Sequence, residues 1–485
     1  MGSRCFIFRQ IVFILLYSMF PQDVSSAFTD EQTRSIETFV SEYMACKGVP
    51  GLGIGIVKED AVLARGFGLE DVDKKRNVTT DGTLFAIGST TKAFTTVVLA
   101  AALEGTHGRL TWDSKVADVL GGDFRFIDTE RTKLTTIKDL MAHRTGLSGP
   151  SVALSYSYDP SYTRADLARD IRYLEEEEGF RDQHRARIHP LEPAGGIVAT
   201  VDDMMKWLKF LTADGRTEEG RQLMSVPMMK SMFEVHMFVP GDDKRISVPT
   251  FPATHLQRGY GLAWDIGNYR GFQFLWHDGS IGAHDSLVAV LPQFQLGIFI
   301  SSNTMADLKP IVYYVVDLLL AQPQWLNSTS ACSFPSPWIQ ENSNGSDSET
   351  DGNRKPANPP DTEIGMERYI GSYGHRVFGE LQVSLNKSTQ NLHLHYGKLQ
   401  GPLVIEDTNK HVFSLNRVTN YVRFETIVKE KFQTFVFLDE SVFYERGVRL
   451  SDPIRNSGCR SYSGVLMIVL AIHWMTSGEC VYWAP

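Results

Sequence analysis

The chain has 485 residues, 42% of them hydrophobic and 22% charged, with a net charge of −9. That length supports a large core and two domains, and the composition is ordinary for a globular protein. An acidic balance without a basic block argues against a nucleic-acid partner and gives no basis for attraction to an anionic membrane surface.

Arg4 and Arg9 precede an apolar run from Ile11 to Phe20, and Ser25-Ser26-Ala27 supplies small residues before a cleavage point after Ala27. The run is too short to span a bilayer. Residues 1–27 therefore predict a signal peptide, with an uncleaved anchor as the rival. Secretion fits the N-x-S/T sequons at Asn77, Asn327, Asn344 and Asn386. Removal of Cys5 with the signal leaves Cys46, Cys332, Cys459 and Cys480. Their spacing leaves every pairing open and matches no zinc or thioredoxin-like pattern.

Thr29 and Gln32 predict a capping box, and Ile36, Phe39, Val40, Tyr43 and Met44 mark one face of the helix that follows. Pro50 to Val57 and Ala61 to Phe67 read as two paired strands. The glycines in the first point to close packing by a covering helix.

Phe85-Ala86-Ile87-Gly88-Ser89-Thr90-Thr91-Lys92 reads as an extended segment, a glycine, and a serine that opens a helix ended by Gly105. Lys92 lies one turn from Ser89 on the same face. A hydroxyl, an amine and the unpaired N–H groups of a helix N-terminus would share one small volume. The bland alternative for Ser89 is an ordinary helix cap. Ser384-Leu385-Asn386-Lys387 has the same S-x-x-K spacing inside alternating, strand-like sequence. Leu110-Thr111-Trp112-Asp113 follows, then a short helix from Leu134 to Met141 that stops at His143-Arg144-Thr145-Gly146-Leu147.

This order of motifs resembles the secreted serine hydrolases of the class C β-lactamase, D-alanyl-D-alanine carboxypeptidase and esterase superfamily, in which S-x-x-K is a signature. The resemblance runs from about Pro50 to Leu147. It resumes at Pro193-Ala194-Gly195-Gly196-Ile197 and continues through Thr200 to Leu211, Tyr260-Gly261-Leu262-Ala263-Trp264 and His277-Asp278-Gly279. It implies a mixed α+β fold over 28–335: a largely antiparallel sheet flanked by helices, with an inserted all-α region. Phe272 to Trp276 and Leu287 to Ile300 read as neighbouring strands, and a helix runs from Pro310 to about Leu320.

Residues 336–363 form a polar, Pro-containing linker. Alternating segments over 364–450 predict a small all-β domain, a barrel or a sandwich. Residues 451–485 are an unassigned tail, apolar over about half the length a membrane helix needs.

The resemblance implies that Ser89 attacks a carbonyl, that Lys92 helps remove its proton, and that the N–H groups of Ser89 and Ser280 hold the oxyanion. His277 would stand on a strand bordering the site and orient base and substrate; its bland reading is a strand-end histidine beside Trp276. Gly279 would let substrate backbone come close. Asn303 is either a substrate contact or a turn asparagine. His277 and His284 have no third partner for a metal, and no cofactor is implied. The partner expected is a small molecule or peptide with a carbonyl.

One motif of the family is missing. Y-x-N, whose tyrosine shares the proton transfer, occurs nowhere in the chain. Tyr156, Tyr158, Tyr162 and Tyr173 occupy the right interval without the asparagine, and the interval itself is short for the usual inserted helices. The Gln183–His184 junction reads as the place where a block is absent. Two functions follow: a serine hydrolase, or a fold kept for binding or scaffolding without catalysis.

Overall fold

The structure is a computed structural model. It describes residues 28–121, 124–146, 194–238, 255–281, 284–335 and 365–447, except 376–378, 388, 397–398, 408–410, 416–417 and 438–442. The expected signal peptide, the four tyrosines and the Gln183–His184 junction, the expected linker with Asn344, and the tail with Cys459 and Cys480 lie outside the described residues.

Helix α1 (Asp30–Lys47) starts at the predicted capping box and ends at Gly48, whose φ of 66° is left-handed. It buries the five predicted residues Ile36, Phe39, Val40, Tyr43 and Met44. Strands β1 (Gly51–Lys58) and β2 (Ala61–Asp71) form the predicted antiparallel pair, and β3 (Arg76–Asn77) extends it. The chain then makes β4 (Phe85–Ala86) and α2 (Thr91–Gly105), followed by the short helices α3 (Val116–Leu120), α4 (Thr129–Leu134) and α5 (Ile137–Met141). Beyond residue 193 come β5 (Val198–Ala199), α6 (Val201–Thr212) and α7 (Val226–Met232).

Six more strands complete the main sheet. They are β6 (Met237–Phe238), β7 (His255–Tyr260), β8 (Asp265–Tyr269), β9 (Phe272–Ile281), β10 (His284–Leu291) and β11 (Leu296–Ser302). The order across the nine-stranded antiparallel sheet is β3-β2-β1-β11-β10-β9-β8-β7-β6. The run from Leu287 to Ile300 holds two strands. Pro292 breaks the ladder, because it lacks an N–H, and Gln295 turns the chain at a φ of 44°. Helices α8 (Lys309–Leu319) and α9 (Ser328–Ser333) close this part of the chain.

The sheet is buried on both faces, which explains the near-continuous apolar runs of β1, β10 and β11. Leu52, Ile54, Ile56, Ile298 and Ile300 pack with α1 and α8. Their alternates Val57, Phe299 and Val288 pack with α6. The predicted covering helix is α6. A Cβ on Gly55 would stand 1.9 Å from Met205 Cε, so a side chain there has no room.

Cys46 and Cys332 form a disulfide between α1 and α9, closing a sequence separation of 286 residues. That is one of the pairings the spacing left open. Residues 371–446 form a closed eight-stranded antiparallel barrel, β12 (Gly371–His375) through β19 (Phe443–Arg446), filled by Tyr373, Phe424, Phe435 and Tyr444. Of the two all-β forms expected, it is the barrel.

Arg270 and Asp317 make a buried pair between the β8–β9 turn and α8, with Nη2 2.8 Å from Oδ2 and side chains 3% and 1% exposed. Burial raises the Asp317 carboxyl above the usual range, against the pull of Arg270. Tyr269 donates to the same carboxylate at 3.0 Å. Asp317→Asn would leave a buried guanidinium without its counter-charge. We expect a loss of about 3–5 kcal/mol in urea unfolding, with the m-value unchanged.

Candidate active site

Ser89 is placed by contacts on both sides of it. β4 pairs with β5, and Ile87 N donates to Ile197 O at 3.1 Å. The backbone turns at Gly88, with φ of 49°, into one turn of 3-10 helix, Gly88–Thr90, that feeds α2. Neither that turn nor α2 has a side-chain cap, so the capping alternative for Ser89 is not what this structure uses. Instead Lys92 Nζ lies 2.7 Å from Ser89 Oγ and 3.1 Å from Ala194 O. Ala194 thus supplies a carbonyl that fixes the lysine head group. Both side chains are half-buried. The second S-x-x-K match lies on β13 (Gly379–Asn386), where Ser384 is exposed.

Strand β9 closes against the serine turn. A Cβ on Gly88 would fall 2.7 Å from Ser280 N, and one on Gly279 would fall 2.1 Å from Ile87 O. Ser286 on β10 donates to that same carbonyl at 2.7 Å. Only two residues without side chains allow this approach. It sets the turn that carries Ser89 against the backbone nitrogen of Ser280, and both residues line the cavity.

His277 is 9% exposed. Its Nδ1 is 2.6 Å from Asp278 O and its Nε2 is 3.0 Å from the Tyr260 hydroxyl. Ser89, Lys92, His143, Tyr260, His277 and Ser280 line one cavity of about 590 Å³. Asp278 and Lys309 pair across its rim at 2.8 Å. Burial would lower the Lys309 pKa, but the carboxylates of Asp278, Asp307 and Asp265 outweigh it and hold the amine above the ordinary lysine range.

Asn303 is not among the cavity-lining residues. Its Oδ1 accepts from Gly51 N and its Nδ2 donates to Leu69 O, both at 2.8 Å. The side chain ties β1, β2 and the end of β11 together, which is the turn-asparagine alternative and not a place in the cleft.

The Beta-lactamase family model matches residues 36–178 and 156–319, together more than half of the chain. The chain belongs to the beta-lactamase family. Among curated proteins it is similar to the unguisins hydrolase ungD' of Aspergillus campestris, 23% identical over 56% of this chain and 62% of that one. The chain thus spans less than two thirds of that relative. Similarity to the unguisins hydrolase ungD of Aspergillus violaceofuscus is 21% over 74% of this chain and 77% of that one. The octameric penicillin-binding protein homologue from Pyrococcus abyssi is 18% identical, with a TM-score of 0.49 over 86% of this chain and all of that one.

For a beta-lactamase family member the fold is the expected one. Tyr260 and His143 are cavity residues to which the sequence reading gave no role. They stood in quoted motifs, Y-G-L-A-W and H-R-T-G-L, yet nothing local shows that they meet. The Arg131 guanidinium donates to Thr145 O and Gly146 O, at 3.0 and 2.8 Å, and shapes the turn that presents His143. The His143 ring then lies 5.1 Å from that of Tyr260.

Gly279→Ala should push β9 off Ile87 and withdraw the Ser280 N–H from the serine. We expect reaction of Ser89 with an active-site phosphonate to slow by about 100-fold, with the circular dichroism spectrum retained.

Proposed function

We propose that this protein is a secreted serine hydrolase that cleaves an amide or ester bond through an acyl-serine on Ser89. The observation that carries this reading is the 2.7 Å contact between Lys92 Nζ and Ser89 Oγ at the cavity wall. A neutral amine there takes the hydroxyl proton as Oγ attacks the carbonyl carbon. The carbonyl electron pair moves onto oxygen, between the N–H groups of Ser89 and Ser280. Lys92 then returns the proton to the departing amine or alcohol, leaving the acyl-enzyme. Water resolves it.

The substrate is a small molecule or peptide with a carbonyl. The cavity volume of about 590 Å³ suits such a ligand. Two relatives named as hydrolases support the reaction class. Secretion is supported by the Cys46–Cys332 disulfide and by the exposure of Asn77, Asn327 and Asn386 at their sequons. No helix among the described residues is long and apolar enough to cross a membrane.

The test is a fluorophosphonate probe or labelled penicillin on the purified chain, beside Ser89→Ala and Lys92→Ala. Wild type should label on Ser89. The serine variant should not label, and the lysine variant should label roughly 100-fold more slowly or worse. A wild type that fails to label with either reagent would overturn the hydrolase reading and favour a binding protein.

A further inference from the structure

The cavity contains a second chain of proton donors and acceptors, separate from Ser89–Lys92. The Asp278 carbonyl can only accept, so His277 Nδ1, 2.6 Å away, carries the imidazole proton. In the neutral ring Nε2 is then an acceptor. The Tyr260 hydroxyl, 3.0 Å from it, must donate. The hydroxyl proton is thereby directed at His277, and a phenol oxygen is itself an acceptor as well as a donor. Tyr260 is only 3% exposed, yet it borders the same cavity as Ser89 and Lys92. His143 packs against its ring and His277 binds its oxygen, so the phenol is held from two sides.

We propose that Tyr260 and His277 together are the base that activates the water resolving the acyl-enzyme. The proposal rests on the acyl-serine reading above. As the water oxygen bonds to the acyl carbon, its proton passes to the Tyr260 oxygen. The Tyr260 proton passes at the same time to His277 Nε2. The phenol is regenerated, the imidazole becomes imidazolium, and the carbonyl electron pair moves onto the oxyanion. When the tetrahedral species collapses, the bond to Ser89 Oγ breaks. The imidazolium returns its proton through Tyr260 to that oxygen, and a carboxylic acid leaves. Lys92 serves acylation; the tyrosine–histidine pair serves hydrolysis of the intermediate.

The experiment uses the full chain with p-nitrophenyl acetate, following p-nitrophenol release from the first milliseconds and the intact protein mass. Tyr260→Phe keeps the ring against His143 and removes only the hydroxyl. It should retain the stoichiometric burst, lower the steady-state rate by about 100-fold, and accumulate an acetyl adduct on Ser89. His277→Asn, on a different strand, should give the same pattern, and the double variant should be no slower than either single one. A purely structural tyrosine would not produce an accumulating adduct. Steady-state rates equal to wild type in both single variants would overturn the proposal while leaving the acyl-serine reading standing. So would loss of the burst in step with turnover. A wild type with no burst and no adduct overturns the acyl-serine reading and this proposal with it.

Discussion

The site depends on one backbone contact. The carbonyl of Ile87 and the turn at Gly88 press against Gly279 and the N–H of Ser280. Elements far apart in sequence meet there without a side chain between them: the turn that carries the serine and the strand that carries the histidine. Every other feature of the cavity is referred to this contact. Lys92 is set by the helix that begins beyond the turn, and His277 by its place two residues before Gly279. The hydrogen bond from Ser286 to Ile87 O adds a third strand to the same junction. Hydrogen-bond donors built from backbone in this way lose little entropy when charge develops, because they are already ordered.

The cavity is asymmetric in its electrostatics. One wall holds Ser89 and Lys92 with backbone donors. The same cavity is lined by Asp278 and Asp307 near Lys309, whose charge the carboxylates stabilise against burial. The ion pair joins β9 to the start of α8, so the rim beside the histidine strand is tied to the helix behind it. A pair of this kind, half in water, adds little to stability but holds two side chains in place.

Local features of the site were legible in the sequence and long-range ones were not. Ser89 and Lys92 are one helical turn apart, so a helix alone brings them together. The same spacing at Ser384 and Lys387 could be set aside because i and i+3 point to opposite faces of a strand. The glycines of β1 announced a close partner, and α6 is that partner. Tyr260 and His277 meet only because β8 lies between their strands and sets the register, which no periodicity encodes. Asn303 was ambiguous for a physical reason: an amide after a strand can serve a ligand or the backbone, and here Gly51 and Leu69 use it. Cysteine spacing could not choose a partner for Cys46, because pairing follows from where α1 and α9 pack.

The Cys46–Cys332 bond also has a topological meaning. Every motif of the site, from Ser89 to Lys309, lies inside the loop it closes. A protease cut at any one bond within that loop would yield two fragments that remain one molecule until a reductant is added. The nine-stranded sheet draws its central strands from both ends of that loop, β1 from one and β9 to β11 from the other. A nicked protein could therefore keep its sheet, and with it the junction of Gly88 and Gly279. Continuity of the chain and integrity of the site are thereby separate properties of this fold.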